Sequence, residues 1–154
     1  MKFYRRLKPF KAISFDLDDT LYSNRPIMLS VETKMAAYFI KRISPSKATV
    51  PLDSQFWWPY RQQALINNHF LIHDVVALRL EAYYLGFKGS GFSTAVAKSE
   101  AQLALNYFIS QRSNFTVAEP VHQLLASLQK KWPLVAISNG NVDTRTIGIH
   151  HYFS

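Results

Sequence analysis

Ala12-Ile13-Ser14-Phe15-Asp16-Leu17-Asp18-Asp19-Thr20-Leu21-Tyr22 decides how this chain is read. The run Ala12 to Phe15 is short, carries Ile and Phe, and has the composition of a buried strand. Asp16, Asp18 and Asp19 follow at once. Unpaired charges are too costly to leave in a core, so the strand ends here and its carboxylates project into a loop. In open α/β sheets the C-terminal edge of the strands is where ligands bind.

Clustered carboxylates repel one another, and a cation relieves the repulsion. Two or three oxygen ligands with room for water suit magnesium better than an all-protein calcium cage. The glycine and distal glutamate of an EF-hand loop are missing. An Asp carboxylate can also act as a nucleophile and form an aspartyl-phosphate. A second Asp two residues on could then serve as general acid and base. The same residues also read as an Asp-rich turn with Asp or Thr capping a helix, and spacing alone leaves both readings open.

Length and composition bound the rest. The 154 residues suffice for one modest domain, or a core with an insertion. With 48% apolar residues the composition is globular, and no apolar run reaches the roughly 18 residues that cross a bilayer. There are no cysteines, which excludes disulfides and thiolate zinc sites. The N-terminus has no secretory signal pattern, and a cytoplasmic location is the expectation. The net charge of +8 raises nucleic-acid binding, but Lys2, Arg5, Arg6, Lys8 and Lys11 form one acid-free cluster and the other basic residues are scattered. That distribution favours a solvated N-terminal arm over a nucleic-acid surface.

After the carboxylates, Ser23-Asn24-Arg25-Pro26 reads as a helix start, with Met28, Val31, Met35, Tyr38 and Phe39 at helical spacing. Ser44 to Asp53 holds two prolines and reads as a loop. Phe56-Trp57-Trp58-Pro59-Tyr60 is aromatic-dense: the rings could stack on a flat ligand, or form packed core, and core is favoured. Pro59 starts or kinks a helix that runs to about Asn67. His69 and His73 have i,i+4 spacing, but a third ligand and a catalytic glutamate are absent, which favours solvated or capping histidines. A helix from about Asp74 closes at Gly86, Lys88-Gly89-Ser90-Gly91 is a loop, and Ser93 opens a long helix to about Gln111. Residues 24 to about 112 thus read as almost wholly helical.

Glu119-Pro120 begins another helix, with Lys130-Lys131 suited to its C-terminal dipole. Leu134-Val135-Ala136-Ile137 is a second short strand, ending in Ser138-Asn139-Gly140-Asn141. A hydroxyl and backbone amides at a strand end can cradle a phosphate. An ordinary Ser-Asn-Gly turn has the same wording.

Asp16-Leu17-Asp18-Asp19-Thr20 resembles the Asp-x-Asp-x-Thr signature of the haloacid dehalogenase superfamily, most of whose members are phosphatases. Ser138-Asn139-Gly140 resembles that family's second motif, and the helical stretch between the two resembles its cap insertion. The resemblance implies an α/β fold: a Rossmann-like core with an incomplete parallel sheet and an inserted α-helical cap. Residues 1–23 would carry the first strand and nucleophile loop, 24–112 the cap, and 113–154 the second part of the core. The wording of Phe3-Tyr4-Arg5, Asp16 to Tyr22 with Asn24-Arg25-Pro26, His73-Asp74-Val75 and Lys131 to Asn141 is similar to bacterial phosphatases of riboflavin metabolism. These act on 5-amino-6-(5-phospho-D-ribitylamino)uracil and on FMN.

Carried over, the resemblance makes Asp16 the nucleophile and a Mg2+ ligand. Asp18 becomes the acid and base and gives its main-chain carbonyl to the metal. Ser138 and the Asn139 amide would hold the phosphoryl oxygens of a small phosphorylated metabolite. The family's later lysine and acidic pair have no counterpart before Ser154. The expectation is therefore the N-terminal part of a longer phosphatase, with an inactive, ligand-binding fragment as the alternative. Oligomeric state is not legible.

Overall fold

The computed structural model describes residues 9–43, 51–138 and 140–154. Most of the basic N-terminal cluster, much of the expected Ser44–Asp53 loop, and Asn139 lie outside that range.

Two strands form the sheet, β1 (Ile13–Phe15) and β2 (Leu134–Ala136). They pair in parallel, with Ile13 opposite Leu134, Ser14 opposite Val135 and Phe15 opposite Ala136. The ladder is extended at both ends, by the Ile13 N–H to Pro133 O at 3.0 Å and the Ile137 N–H to Phe15 O at 2.8 Å. Parallel pairing needs a long crossover, and 118 positions separate Phe15 from Leu134 by their numbers.

Helices fill that crossover. They are α1 (Asn24–Ile40), α2 (Ser54–Asn67), α3 (Val75–Gly89), α4 (Thr94–Arg112) and α5 (Glu119–Gln129). Short 3-10 turns cover His69–His73 and His150–Tyr152. Their starts follow capping chemistry, in which a side-chain oxygen takes a free first-turn amide. Asp53 accepts from Gln55 N–H, Asp74 from Val76 and Ala77 N–H, and Ser93 from Val96 N–H. At α1 the flanking Ser23 makes no such bond, and Asp19 Oδ1 takes the Asn24 N–H at 2.8 Å instead.

Two apolar clusters result. Helices α1 to α4 enclose the first, which includes Val31, Phe39, Trp57, Tyr83, Phe87 and Phe108. Ala97, Ala101 and Ala104 are fully buried on α4, where small side chains let that helix lie close to its neighbours. The second cluster gathers Leu17, Leu21, Val117, Leu125, Leu134, Ile147 and Ile149 around the sheet. The aromatic run therefore divides: Phe56 and Trp57 are core, while Trp58 stays 58% exposed.

One expected boundary is corrected. The helix expected to close at Gly86 continues to Gly89, with Ser90 at its cap, so Lys88 and Gly89 are helical rather than loop. Gly86 serves packing instead. A Cβ there would lie 2.2 Å from Trp57 Cζ3, so the indole occupies the space a side chain would need. Pro59 is held inside α2 rather than at its start.

Candidate active site

Asp16 immediately follows β1, and Ile137 N–H bonds back to Phe15 O, so the ends of both strands arrive at one edge. Asp16 is exposed, and its Oδ1 accepts the Leu17 N–H at 2.9 Å. Leu17 and Leu21 point the other way into the core at 2% and 7% exposure. Leu21 N–H bonds Leu17 O at 2.9 Å, and Asp19 takes a left-handed φ of 56°. Buried leucines alternating with carboxylates thus hold the acidic groups outward.

Asp18 is the most constrained of the three. Its Oδ1 accepts from Tyr22 Oη at 2.6 Å and from Arg112 Nη2 at 2.5 Å. The Arg112 side chain is only 2% exposed, against 21% for Asp18. Arg112 Nη1 is buried with no hydrogen-bond partner among the described residues. The Tyr22 phenol is pushed well above its ordinary range, first by burial and then by the Asp18 carboxylate beside it.

The other oxygen of Asp18 turns toward the loop after β2. A Cβ built on Gly140 would lie 3.0 Å from Asp18 Oδ2 and 3.2 Å from Ser138 Oγ. The bare glycine is what lets that turn close on the carboxylate. Ser138 Oγ accepts the Gly140 N–H at 3.0 Å, which orients the hydroxyl. Asp18 Oδ2 and Ser138 Oγ therefore both lie beside Gly140 at the strand ends, with Asp16 on the same edge. Asn139 lies outside the described residues.

The adjoining residue Ser113 ties α4 to the second loop. Its Oγ accepts the Asp143 N–H at 2.8 Å. The Asp143 carboxylate caps the next turn through Thr146 Oγ1 and the Arg145 N–H, and these bonds hold it below the usual carboxylate range, Thr146 contributing most.

Tyr22 and Arg112 are site neighbours that the sequence did not single out. A basic residue in a helix's last turn already suits the dipole. Nothing local shows that Arg112 is buried or that it reaches across 94 positions to Asp18. The histidines expected to be solvated are so: His69 and His73 are exposed, and the His69 ring lies 4.0 Å from Phe70. No group of three potential metal ligands occurs among the described residues.

Over 153 residues the chain is 35% identical to the 5-amino-6-(5-phospho-D-ribitylamino)uracil phosphatase YigB of Escherichia coli. The match spans 99% of this chain and 63% of that protein. Its fold superposes on a 2-haloacid dehalogenase from Pseudomonas syringae with a TM-score of 0.84 and 27% identity, over 95% of this chain and 62% of the other.

The chain is similar in sequence and fold to proteins of the haloacid dehalogenase superfamily.

The putative HAD-hydrolase YfnB of Bacillus subtilis, solved bound to magnesium, shares the fold at a TM-score of 0.53 and 13% identity, over 96% of this chain and 62% of its own. No family model matches the chain. The chain thus spans under two thirds of the length of each of these superfamily proteins. The α/β core with a helical cap expected from the sequence is the observed architecture.

Proposed function

We propose that the protein to which this chain corresponds is a magnesium-dependent phosphomonoester hydrolase working through an aspartyl-phosphate. The observation that carries the reading is the convergence of Asp18 Oδ2 and Ser138 Oγ on Gly140, beside Asp16 and at the C-terminal edge of two parallel strands. Asp16 would attack phosphorus while the bond to the leaving oxygen breaks, and Asp18 would give that oxygen a proton. Water would then attack the phosphoryl group, pass its proton to Asp18 and release Asp16 with inorganic phosphate. Ser138 and the Asn139 amide would hold the transferring oxygens, a positioning role that phosphoryl transfer rewards.

The donors suit Mg2+ in kind. They are hard oxygens, Asp16 is open to solvent, and one or two carboxylates with water and substrate phosphate form a usual magnesium shell. Asp16 and the main-chain carbonyl of Asp18 would hold the ion, which when bound supplies charge neutralisation at the phosphoryl oxygens. We assign residues 1–23 and 113–154 to the core, 24–112 to the cap, and the protein to the cytoplasm. The substrate class is a small phosphorylated metabolite, specifically a flavin or riboflavin precursor, a choice supported by the substrate in the relative's name.

A second reading, ligand binding without turnover, is favoured by the absence of a three-ligand cluster among the described residues. An assay of the purified chain with p-nitrophenyl phosphate and FMN, with and without Mg2+, separates the two. Turnover that needs the metal and falls to background in Asp16→Asn supports the hydrolase. A folded chain that binds phosphate and never turns over supports the second reading. Full activity in Asp16→Asn would sink the aspartyl-phosphate mechanism.

A further inference from the structure

Helices α1 to α4 hold a cavity of about 330 Å³ whose walls include Met28, Met35, Trp57 and Phe108, but no wall residue comes from the Asp16–Tyr22 loop or the Ser138 turn. These helices reach the carboxylates another way, at the two points where the chain passes between them and the sheet. Tyr22 stands just before α1, and Arg112 is the last residue of α4. Both donate to the same oxygen, Asp18 Oδ1, Tyr22 Oη at 2.6 Å and Arg112 Nη2 at 2.5 Å. The donors are themselves braced. The Tyr22 ring packs on Phe115 with centroids 4.6 Å apart, and Arg112 Cζ lies 5.9 Å from the Tyr22 centroid.

A carboxylate oxygen has roughly two acceptor sites, and these two donors fill those of Oδ1. A proton placed there would displace one of them and leave a buried group without its partner. Arg112 is only 2% exposed, and Asp18 is the carboxylate it pairs with among the described residues. Oδ2 takes neither bond and lies on the side of Gly140 and Ser138.

We propose that Arg112 and Tyr22 are positioning residues: by occupying Oδ1 they make Oδ2 the oxygen through which Asp18 passes its proton. The role rests on the hydrolase reading above. In the first step the Oδ2–H bond breaks and the proton goes to the leaving oxygen. The bond from phosphorus to that oxygen breaks, its electron pair staying on the oxygen, while an Asp16 oxygen bonds to phosphorus. A carboxyl group free to rotate would be turned away from the leaving oxygen part of the time, and small misplacements are costly to such a step. With one donor at each chain crossing, the orientation of the acid depends on both.

Two esters of similar shape, p-nitrophenyl phosphate and phenyl phosphate, separate this role from a structural one. Nitrophenolate leaves readily as an anion, whereas phenolate needs the proton. Their kcat/KM values read the reaction only up to release of the leaving group, so a misplaced acid should open a gap between the two esters. In Tyr22→Phe and in Arg112→Met, kcat/KM should fall about tenfold further with phenyl phosphate than with p-nitrophenyl phosphate. Arg112→Lys, which keeps the charge and a donor, should recover part of that gap. Partial unfolding would lower both esters alike, so an equal loss in every variant would overturn the proposal. Crystal structures of the 154-residue chain and its variants give a reading that needs no turnover. The Asp18 carboxyl group should turn, or split between two orientations, in Arg112→Met and in Tyr22→Phe, which removes only a hydroxyl. An unchanged Asp18 in both would overturn the proposal as well. A wild-type chain that hydrolyses neither ester would overturn the hydrolase reading and the acid role with it, while a turned Asp18 in the variants would still show that Arg112 and Tyr22 orient it.

Discussion

Asp18 divides its two oxygens between different neighbours. Oδ1 is fixed by Tyr22 and Arg112, while Oδ2 faces the Ser138 turn. Breaking a buried pair strands the surviving charge, at a cost of about 3 kcal/mol or more when both partners are fully buried. Asp18 retains some exposure, so Arg112→Met should cost roughly 2–3 kcal/mol in urea denaturation. Combined with Asp18→Asn, the loss should be smaller than the sum of the single losses, by about 1–2 kcal/mol. Strict additivity would mean that the pair contributes no coupling. The placement of Asp16, Asp18 and Ser138 just beyond the strands was legible because polar residues directly after apolar runs mark strand ends. Arg112 was not, because its partner is set by the packing of α4 against the first loop, and no local pattern encodes that.

The helices were legible from caps and apolar spacing, and their ends less so. Gly86 shows why. A glycine in a helical pattern signals either termination or close approach, and only the position of Trp57 decides between them. Ala is a better helix former than Gly by about 1 kcal/mol, so a purely local view makes Gly86→Ala stabilising. With a Cβ 2.2 Å from the indole, overpacking should prevail. We expect a net loss of about 1–2 kcal/mol, read as a lower thermal midpoint. A raised midpoint would show that the indole moves aside freely. The strands came out shorter than their apolar runs: Ile137 keeps the ladder bond but is 63% exposed.

On the scale of the molecule, the two apolar clusters belong to different stretches of chain, one within α1–α4 and the other around the sheet and α5. Large-to-small changes should therefore act regionally. Leu125→Ala, fully buried in the second cluster, should cost about 2–5 kcal/mol. Its effect on native-state hydrogen exchange should appear mainly at β1, β2 and α5. Phe39→Ala should raise exchange mainly in α1 to α4, and uniform acceleration by both variants would show a single cooperative unit. The long helical stretch between the two strands was foreseeable from caps and apolar spacing. The cavity among α1 to α4 was not, since the same aromatic and methionine residues would equally fill a solid core. The end of α4 joins the regions: Arg112 holds the first loop and Ser113 the second. Anyone grafting α1 to α4 onto another α/β core would thus have to carry both residues as part of the transplant. A splice made one turn earlier would keep every helix and yet leave the recipient's two loops without their shared strut.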